Sequence, residues 1–296
     1  MTLVKSDIPR LLTTGLKTLF FQSLQETPAL WDQIATVIKS DQDTEDYAWL
    51  GSLPGMREFV DERQPGQLHE YDYTLKNKTW ESTLAIDRTA IEDDQYGQIA
   101  LRVQTMGSQA RRHLDQLVFG LLAQGFAAPS YDGAPMFGTH GTQSNKGVDA
   151  LTASSLQAAF TQIMRLQDDQ GNPAGIMPDV LVVPPDLKWE AMQILNSEYY
   201  PDPLIGATQE LAANVLKGMF RLVVSPYLLN PANWYLLDTT RAVRPIVLQM
   251  RQDFEFMSLE GDTETGFLRD QYYYGIRARY NAGYGEWRGA FGSQAG

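Results

Sequence analysis

The sequence predicts an α+β fold, because helical and strand patterns are both strong and occupy different stretches of the chain. Apolar residues recur every three or four positions over 98–124, which predicts one long helix. Short strand and helix patterns alternate between 151 and 250. The stretch 267–287 alternates apolar with polar residues, as a long strand with one apolar face does. These three observations indicate a mixed architecture.

The composition excludes several classes of protein. The 296 residues are 43% hydrophobic, which is enough for a sizeable core, and the absence of cysteine rules out disulfides and thiolate chemistry. A formal net charge of -12 disfavours dedicated DNA binding, although an acidic wall can still enclose DNA without adhering to it. We find no signal peptide and no apolar run long enough to span a bilayer, so we expect a soluble cytoplasmic product without a membrane partner.

The first part of the chain reads as an arm. Apolar residues from Ile8 to Ile38 fall at roughly helical spacings, with an interruption at Pro28, and predict short helical pieces. The acidic run 40–46 that follows predicts a solvated loop.

A strand-and-turn pattern occupies 47–88. Tyr71, Tyr73 and Leu75 alternate with polar residues, and a second alternating stretch starts at Trp80 after the turn residues Asn77 and Lys78. We interpret this as a two-stranded excursion. Because it lacks core-forming runs, it cannot easily bury itself in its own subunit, and we expect it to lie on something else.

The remaining elements follow in a regular order. The long helix can be capped by Asp93 or Asp94. A helix capped by Thr152 runs to Leu166, a buried strand covers 179–184, and a helix follows over 185–196. Three further strands are predicted to join one mixed sheet, namely 219–225, 233–238 and 243–250.

Catalytic constellations were sought and none is predicted. The chain lacks nucleophile-elbow, phosphate-loop and dinucleotide-binding motifs. Its histidines, His69, His113 and His140, have no metal-ligand spacing, so we predict neither a metal nor a cofactor. Two carboxylate clusters leave an acidic hydrolase open as a remote alternative, namely Glu92, Asp93 and Asp94, and Glu260, Asp262 and Glu264.

Several short strings, in one order and spread over nearly the whole chain, resemble the Mu-like phage major head subunit family. Any one string would be weak, and their joint occurrence is specific. They are YAWLG and LPGMRE at 47–58, KNK and WEST at 76–83, IEDDQYG at 91–97, LVFGLL at 117–122, YDG at 131–133, WYLLDT at 234–239 and YNAGYG at 280–285.

The resemblance implies the Hong Kong 97-type capsid fold and its domain order. The N-terminal arm would be 1–46, the extended E-loop hairpin 47–88, and the P-domain 89–150 with the spine helix at about 98–124. The A-domain would be 151–250, and 251–296 would return to the P-domain.

The family resemblance also implies a non-enzymatic major capsid protein that self-assembles into hexamers and pentamers of an icosahedral head around double-stranded DNA. It would be made in the bacterial host cytoplasm and end in the virion capsid, with a separate scaffolding protein, a portal and a decoration protein as candidate partners. An encapsulin-like nanocompartment shell is the alternative. The candidate contacts between subunits are Trp49, Arg57, Arg63, Tyr71, Tyr73, Lys76, Lys78 and Trp80.

Overall fold

The structure, a computed structural model, describes residues 8–47, 73–92, 96–201, 211–259 and 270–295. Its α-helices are α1 (Ile8–Glu26), α2 (Arg88–Glu92), α3 (Tyr96–Gln124), α4 (Ala153–Met164) and α5 (Lys188–Asn196). Single turns of 3₁₀ helix lie at Trp31–Gln33, Pro185–Leu187 and Trp287–Gly289.

The strands of the described residues lie between these helices and, for the last seven, after α5. They are β1 (Ala35–Lys39), β2 (Thr44–Asp46), β3 (Thr74–Lys76), β4 (Lys78–Asp87), β5 (Thr139–His140), β6 (Gln143–Ser144), β7 (Lys146–Gly147), β8 (Val180–Val183), β9 (Tyr199–Pro201), β10 (Leu211–Ala213), β11 (Arg221–Val224), β12 (Trp234–Leu237), β13 (Ile246–Leu259), β14 (Gln271–Tyr284) and β15 (Ala290–Ser293).

A four-stranded sheet in the order β1-β13-β14-β4 forms the first layer of the fold, which we call sheet A. The long strands β13 and β14 are antiparallel, β4 pairs with β14 over its full length, and β1 is parallel to β13. Buried and half-buried residues alternate along the first half of β14, and all of the last five are buried. The long strand predicted within 267–287 is therefore confirmed, as β14.

Helices α1 and α3 cover one face of sheet A. The apolar stripe of α3 is buried, as its spacing predicts, and includes Ile99, Val103, Met106, Ala110 and Leu114. The two helices approach closely, because Gly107 of α3 has no side chain to meet the backbone oxygen of Phe20 in α1. Asp115 of α3 accepts the backbone N–H groups of Leu30 and Trp31 at 2.9 and 2.8 Å, which holds the chain just after α1.

A five-stranded sheet in the order β11-β8-β12-β15-β7 forms the second layer, which we call sheet B. Its strand β8 is completely buried, and α4 begins with a reciprocal hydrogen-bond pair between Thr152 and Ser155. Both agree with the sequence patterns. The helix over 185–196 is also confirmed, as a 3₁₀ turn that continues into α5.

The structure corrects the expectation for the first 46 residues in two places. The helical pattern was extended to Ile38, but 35–39 form a strand, because their backbone groups pair with 246–250 of β13. The acidic run was expected to be a solvated loop, but 44–46 form β2, which pairs with β3. In both places long-range pairing overrides the local pattern.

Two strand pairings also differ from expectation. The stretch 243–250 is indeed a strand, but it belongs to sheet A and not to the sheet that contains β8. The strands on either side of Asn77 do not form a hairpin with each other, since one residue is too short for such a turn. Instead β3 pairs with β2, while β4 lies on its own subunit beside β14.

Candidate subunit-assembly site

The segment 48–72 leaves the described structure at Tyr47 and returns to it at Tyr73. The backbone N–H of Tyr47 donates to the carbonyl of Tyr73 at 2.7 Å, so both ends of the segment meet at one place. Strands β2 and β3 continue this pairing away from the segment, from Asp46–Thr74 to Thr44–Lys76. We call the residues 40–47 and 73–77 the root, because they hold the two ends together.

A buried glutamine of sheet A forms hydrogen bonds with both halves of the root. Gln249 is 0% exposed, and its Oε1 accepts a hydrogen bond from the Tyr47 hydroxyl at 2.8 Å. Its Nε2 donates to the carbonyl of Leu75 at 3.1 Å. Burial raises the pKa of Tyr47 to about 12, so the hydroxyl keeps its proton for this bond at neutral pH. One side chain thus binds both halves of the root.

Strand β14 contributes two hydrogen bonds to the root and approaches it closely at Gly283. Asn281 donates from Nδ2 to the carbonyl of Lys76 at 2.8 Å, and the N–H of Tyr284 donates to the Tyr73 hydroxyl at 2.9 Å. A Cβ on Gly283 would lie 2.8 Å from that hydroxyl oxygen, so only glycine lets the root sit so close to the sheet. Burial raises the pKa of Tyr73 as well.

Polar side chains close the outer edge of the root. Asn77 is buried and donates from Nδ2 to Ser40 Oγ and to the carbonyl of Gln42, each at 2.8 Å. The Glu45 carboxylate accepts the Ser40 hydroxyl and the N–H groups of Asp41 and Gln42. These hydrogen bonds, the one from Ser40 first, lower the pKa of Glu45. The acidic run is therefore ordered by its own side chains.

Four of the eight predicted contact residues lie outside the described residues, namely Trp49, Arg57, Arg63 and Tyr71. Two others point to solvent: the Lys76 side chain is 74% exposed, with Nζ 3.8 Å from Asp43, and Lys78 is exposed. Tyr73 is half-buried within the root. The structure therefore leaves Lys76 and Lys78 as the accessible members of the described set.

Trp80 packs largely within its own subunit. Its indole N–H donates to the carbonyl of Tyr280 at 3.0 Å, and its ring centroid lies 4.4 Å from that of His113. His113 Nδ1 in turn lies 2.7 Å from the Tyr280 hydroxyl, and burial lowers the pKa of His113. These three side chains line one end of a cavity of about 430 Å³ between α3 and sheet A.

The other described histidine belongs to a buried charged cluster. His140 Nδ1 lies 2.5 Å from Asp132 Oδ2, and its ring stacks on Trp287 with centroids 3.8 Å apart. Arg288 lies over the same indole and pairs with Asp169 at 2.5 Å and Glu286 at 3.1 Å. This cluster joins the segment 127–147, which contains β5, β6 and β7, to the turn before β15, and its role is packing.

Metal binding and membrane spanning find no support in the described part of the chain. No group of three histidine, aspartate or glutamate side chains there is placed to hold a metal ion. None of the helices described has both the length and the apolarity to cross a bilayer. Of the two carboxylate clusters in the sequence, Asp93 and Asp94 and the whole of the second lie outside the described residues.

Sequence reasoning missed Gln249 and the role of Ser40 and Glu45. A glutamine within an apolar strand pattern was the only signal for Gln249, and an acidic run normally means solvent. The string at 280–285, by contrast, supplied Asn281, Gly283 and Tyr284, all of which contact the root.

The comparisons with known proteins agree on one family. The family model described as Mu-like prophage major head subunit gpT matches residues 10–150, 142–228 and 230–296. The Mu-like prophage FluMu major head subunit of Haemophilus influenzae is 27% identical over 289 residues, which are 97% of this chain and 73% of that protein. The major capsid protein of Escherichia phage Mu matches with the same identity and coverage.

A solved structure agrees with these sequence relatives. The chain matches a subunit in the procapsid of bacteriophage JBD30 with a TM-score of 0.59 and 28% sequence identity, over 98% of this chain and 76% of that one. With helices on one face of sheet A and a separate sheet B, the architecture agrees with the fold that the resemblance implies. The chain therefore belongs to the Mu-like prophage major head subunit family, as a major capsid protein with the Hong Kong 97-type fold that assembles into a phage-head shell.

Proposed function

We propose that copies of this chain form hexamers and pentamers in which the E-loop, predicted at 47–88, contacts a neighbouring subunit through its segment 48–72. The root is the observation that carries this proposal. Gln249, Asn281 and Gly283 hold both ends of the segment on sheet A of its own subunit. A loop that starts from a rigid base loses less conformational entropy when it binds than a loop with free ends.

Exposed groups beside the root extend this contact surface. Lys76 and Lys78 are basic residues on a strongly acidic chain, with 24 Lys and Arg against 36 Asp and Glu. Placed against an acidic neighbour, they would offset the repulsion between like-charged copies. We propose that both lysines face the next subunit, together with Trp49, Arg57, Arg63 and Tyr71, while Tyr73 and Trp80 position the segment from within.

Shell stability in this proposal comes from several weak contacts per subunit. Each copy is held by several neighbours, so the loss of one contact is opposed by the high effective concentration created by the others. The role is structural and needs no catalysis.

The acidic charge suits a container for double-stranded DNA. A net charge of -12 gives little attraction to phosphates, so the genome would be enclosed without sequence-specific binding. We further propose assembly in the host cytoplasm around a separate scaffolding protein, with a portal at one vertex and a decoration protein on the outer surface.

The test is electron microscopy of the purified protein and of a variant in which 50–70 is replaced by a short Gly-Ser linker. Residues 73–78 must stay, because Tyr73, Leu75 and Asn77 belong to the root. We expect shells from the wild type, and from the variant a folded subunit with unchanged near-ultraviolet circular dichroism but no closed shells. Normal shells from the folded variant would contradict the role given to the E-loop.

The nanocompartment alternative predicts the same shells with protein cargo instead of DNA. The family match to head subunits favours the phage head. Particles purified from induced cells and treated with nuclease should still contain protected double-stranded DNA. Particles filled only with a host protein would support the nanocompartment.

A further inference from the structure

Twelve large hydrophobic side chains of the described residues are exposed, and eight of them lie between 148 and 229 along the chain. Scattered exposed apolar residues are ordinary, but tryptophan is highly buried on average. The most unusual is Trp189 in the first turn of α5, which is 71% exposed.

Trp189 has one ring face available. Lys188 Nζ lies 4.9 Å from the ring centroid and covers part of the indole. Two exposed acidic residues flank the pair, Asp186 before it and Glu190 after it. Within the described residues neither acid has an ion-pair partner. Both favour the start of α5 through the helix dipole, but that role does not explain the exposed indole beside them.

Helix α4 offers a complementary surface. None of its residues, Ala153–Met164, is charged, although 20% of the whole chain is. Its outer face is a shallow concave surface lined by Ser154, Gln157, Ala158, Thr161, Gln162 and Arg165. Exposed helix faces normally carry charges, whereas the centres of protein interfaces are poor in them. Arg165 is exposed at the end of this face and has no ion pair within the described residues.

The two surfaces are not in contact within one subunit, since Trp189 is 71% exposed and is not among the residues that line the α4 face. Helix α4 packs on β15 and also reaches Phe220, just before the strand β11 on which α5 packs. Two different surfaces of one chain that bind each other between copies form a head-to-tail contact, which closes into a ring when repeated.

We propose that Trp189 of one copy packs against the α4 face of the next copy, over Ala158 and Thr161, with Arg165 of that copy paired with Glu190. A second copy is the fitting partner because the chain assembles into a shell. Arg165 of that copy also carries the positive charge that could pair with Asp186 or Glu190. The inference rests on the proposed hexamers and pentamers and gives the residues of one contact within them. A buried indole is a frequent main contributor to interface energy.

Cysteine cross-linking tests this contact directly, since the chain has no cysteine of its own. Arg165→Cys and Glu190→Cys are made separately and together in the full chain, and each is treated with a short bismaleimide cross-linker under assembly conditions, because the long side chains of an arginine–glutamate pair hold the two Cα atoms too far apart for a disulfide. We expect the double variant to give a ladder of dimers and larger species on denaturing gels, whereas each single variant stays monomeric. Shells without a ladder, or dimers from either single variant, would overturn the contact.

A second pair of variants measures the energetic weight of the indole. Trp189→Ala removes an exposed side chain, and Leu101→Ala is the matched control because Leu101 is 64% exposed on α3. We expect about a tenfold or greater loss of shells from Trp189→Ala and little loss from Leu101→Ala. Equal shell yields from the two variants would overturn the proposed contact, but they would not contradict the proposal that the chain forms shells. If the double-cysteine variant gives a ladder and the wild type forms no shells, the shell proposal fails and the contact stands.

Discussion

The hydroxyl of Tyr47 donates a hydrogen bond to Oε1 of Gln249, and this single contact joins residues 202 positions apart at 2.8 Å. It places the start of the E-loop on the buried centre of sheet A. The loop is therefore anchored by the same strand, β13, that pairs with the N-terminal segment 35–39.

Tyr47→Phe should lower the free energy of unfolding by about 1 to 2 kcal/mol, because it leaves the buried Oε1 of Gln249 without a donor. Urea denaturation measures the change. Tyr273→Phe is the control, since among the described residues the Tyr273 hydroxyl bonds the partly exposed Gln271. A loss no larger than that of the control would show that the root does not depend on this bond.

Alanine should change the stability of the subunit in opposite directions at two glycines of α3. At Gly107 a Cβ would lie 2.7 Å from the Phe20 carbonyl oxygen, so Gly107→Ala should destabilise by about 1 to 3 kcal/mol. A Cβ on Gly120 would meet no described atom outside its own helix backbone within 4 Å, so Gly120→Ala should stabilise by about 0.5 to 1 kcal/mol through helix propensity. Thermal unfolding of both variants checks the packing of α1 on α3, which the opposite order of stabilities would refute.

Asp115 should tolerate asparagine better than alanine. Asp115→Ala leaves the N–H groups of Leu30 and Trp31 without their acceptor, at a cost of about 3 kcal/mol. Burial raises the pKa of Asp115, which means that the site favours an uncharged group, and Asn keeps an acceptor oxygen there. Chemical denaturation at pH 7 should rank the wild type and Asn close together and Ala well below. Equal losses for Asn and Ala would mean that the carboxylate charge is essential.

His113 should make stability depend on pH in the weakly acidic range. Because burial lowers its pKa in the folded state, the unfolded chain binds the proton more readily. The contribution of neutral His113 is therefore complete above about pH 6.5 and is lost as the pH falls through the lower folded value. Between pH 7 and 5 the wild type should lose more stability than His113→Gln, as measured by urea denaturation. Parallel curves would contradict the prediction.

Substitution of Trp80 should lower the stability of the subunit, whereas substitution of Lys78 should lower the yield of shells. Trp80→Ala removes a half-buried ring and its bond to the Tyr280 carbonyl, so the isolated subunit should unfold more easily, by about 2 to 4 kcal/mol. Lys78→Ala removes an exposed side chain and should leave subunit stability within about 0.5 kcal/mol while reducing shell yield. Unfolding curves and particle counts for both variants supply the comparison. Unchanged shell yield from a stable Lys78→Ala would remove Lys78 from the contact surface.

Local patterns predicted much of the fold. Helices α3 and α4, strand β8 and strand β14 each carry a periodicity or cap that depends only on near neighbours, and each was found where it was predicted. The segment 35–39 carries the same apolar spacing as a helix, but its backbone pairs with 246–250. No pattern within five residues contains that partner, so the strand could not be found locally.

The root shows the same limit for the candidate site. Asn77 looks like a loop residue in the sequence, because its partners, the Ser40 hydroxyl and the Gln42 carbonyl, come 37 and 35 positions earlier and only the folded chain brings them near. Trp80 was predicted to contact another subunit because it lies within 47–88, the stretch that the family resemblance implies as the E-loop. Its position beside His113 depends on β4 pairing with β14, whose residues come almost 200 positions later.

That separation also sets an order of events on the ribosome. Strand β4 ends at Asp87, and its partner begins at Gln271. At about 5 to 20 residues per second, β4 waits on the order of 10 to 40 s for the strand that completes its hydrogen bonds. Its side chains are mostly exposed in the finished subunit, so little apolar surface is left open to aggregation during that interval. The strands that anchor the E-loop are thus made late in translation, and the loop gains its fixed base only when sheet A is complete.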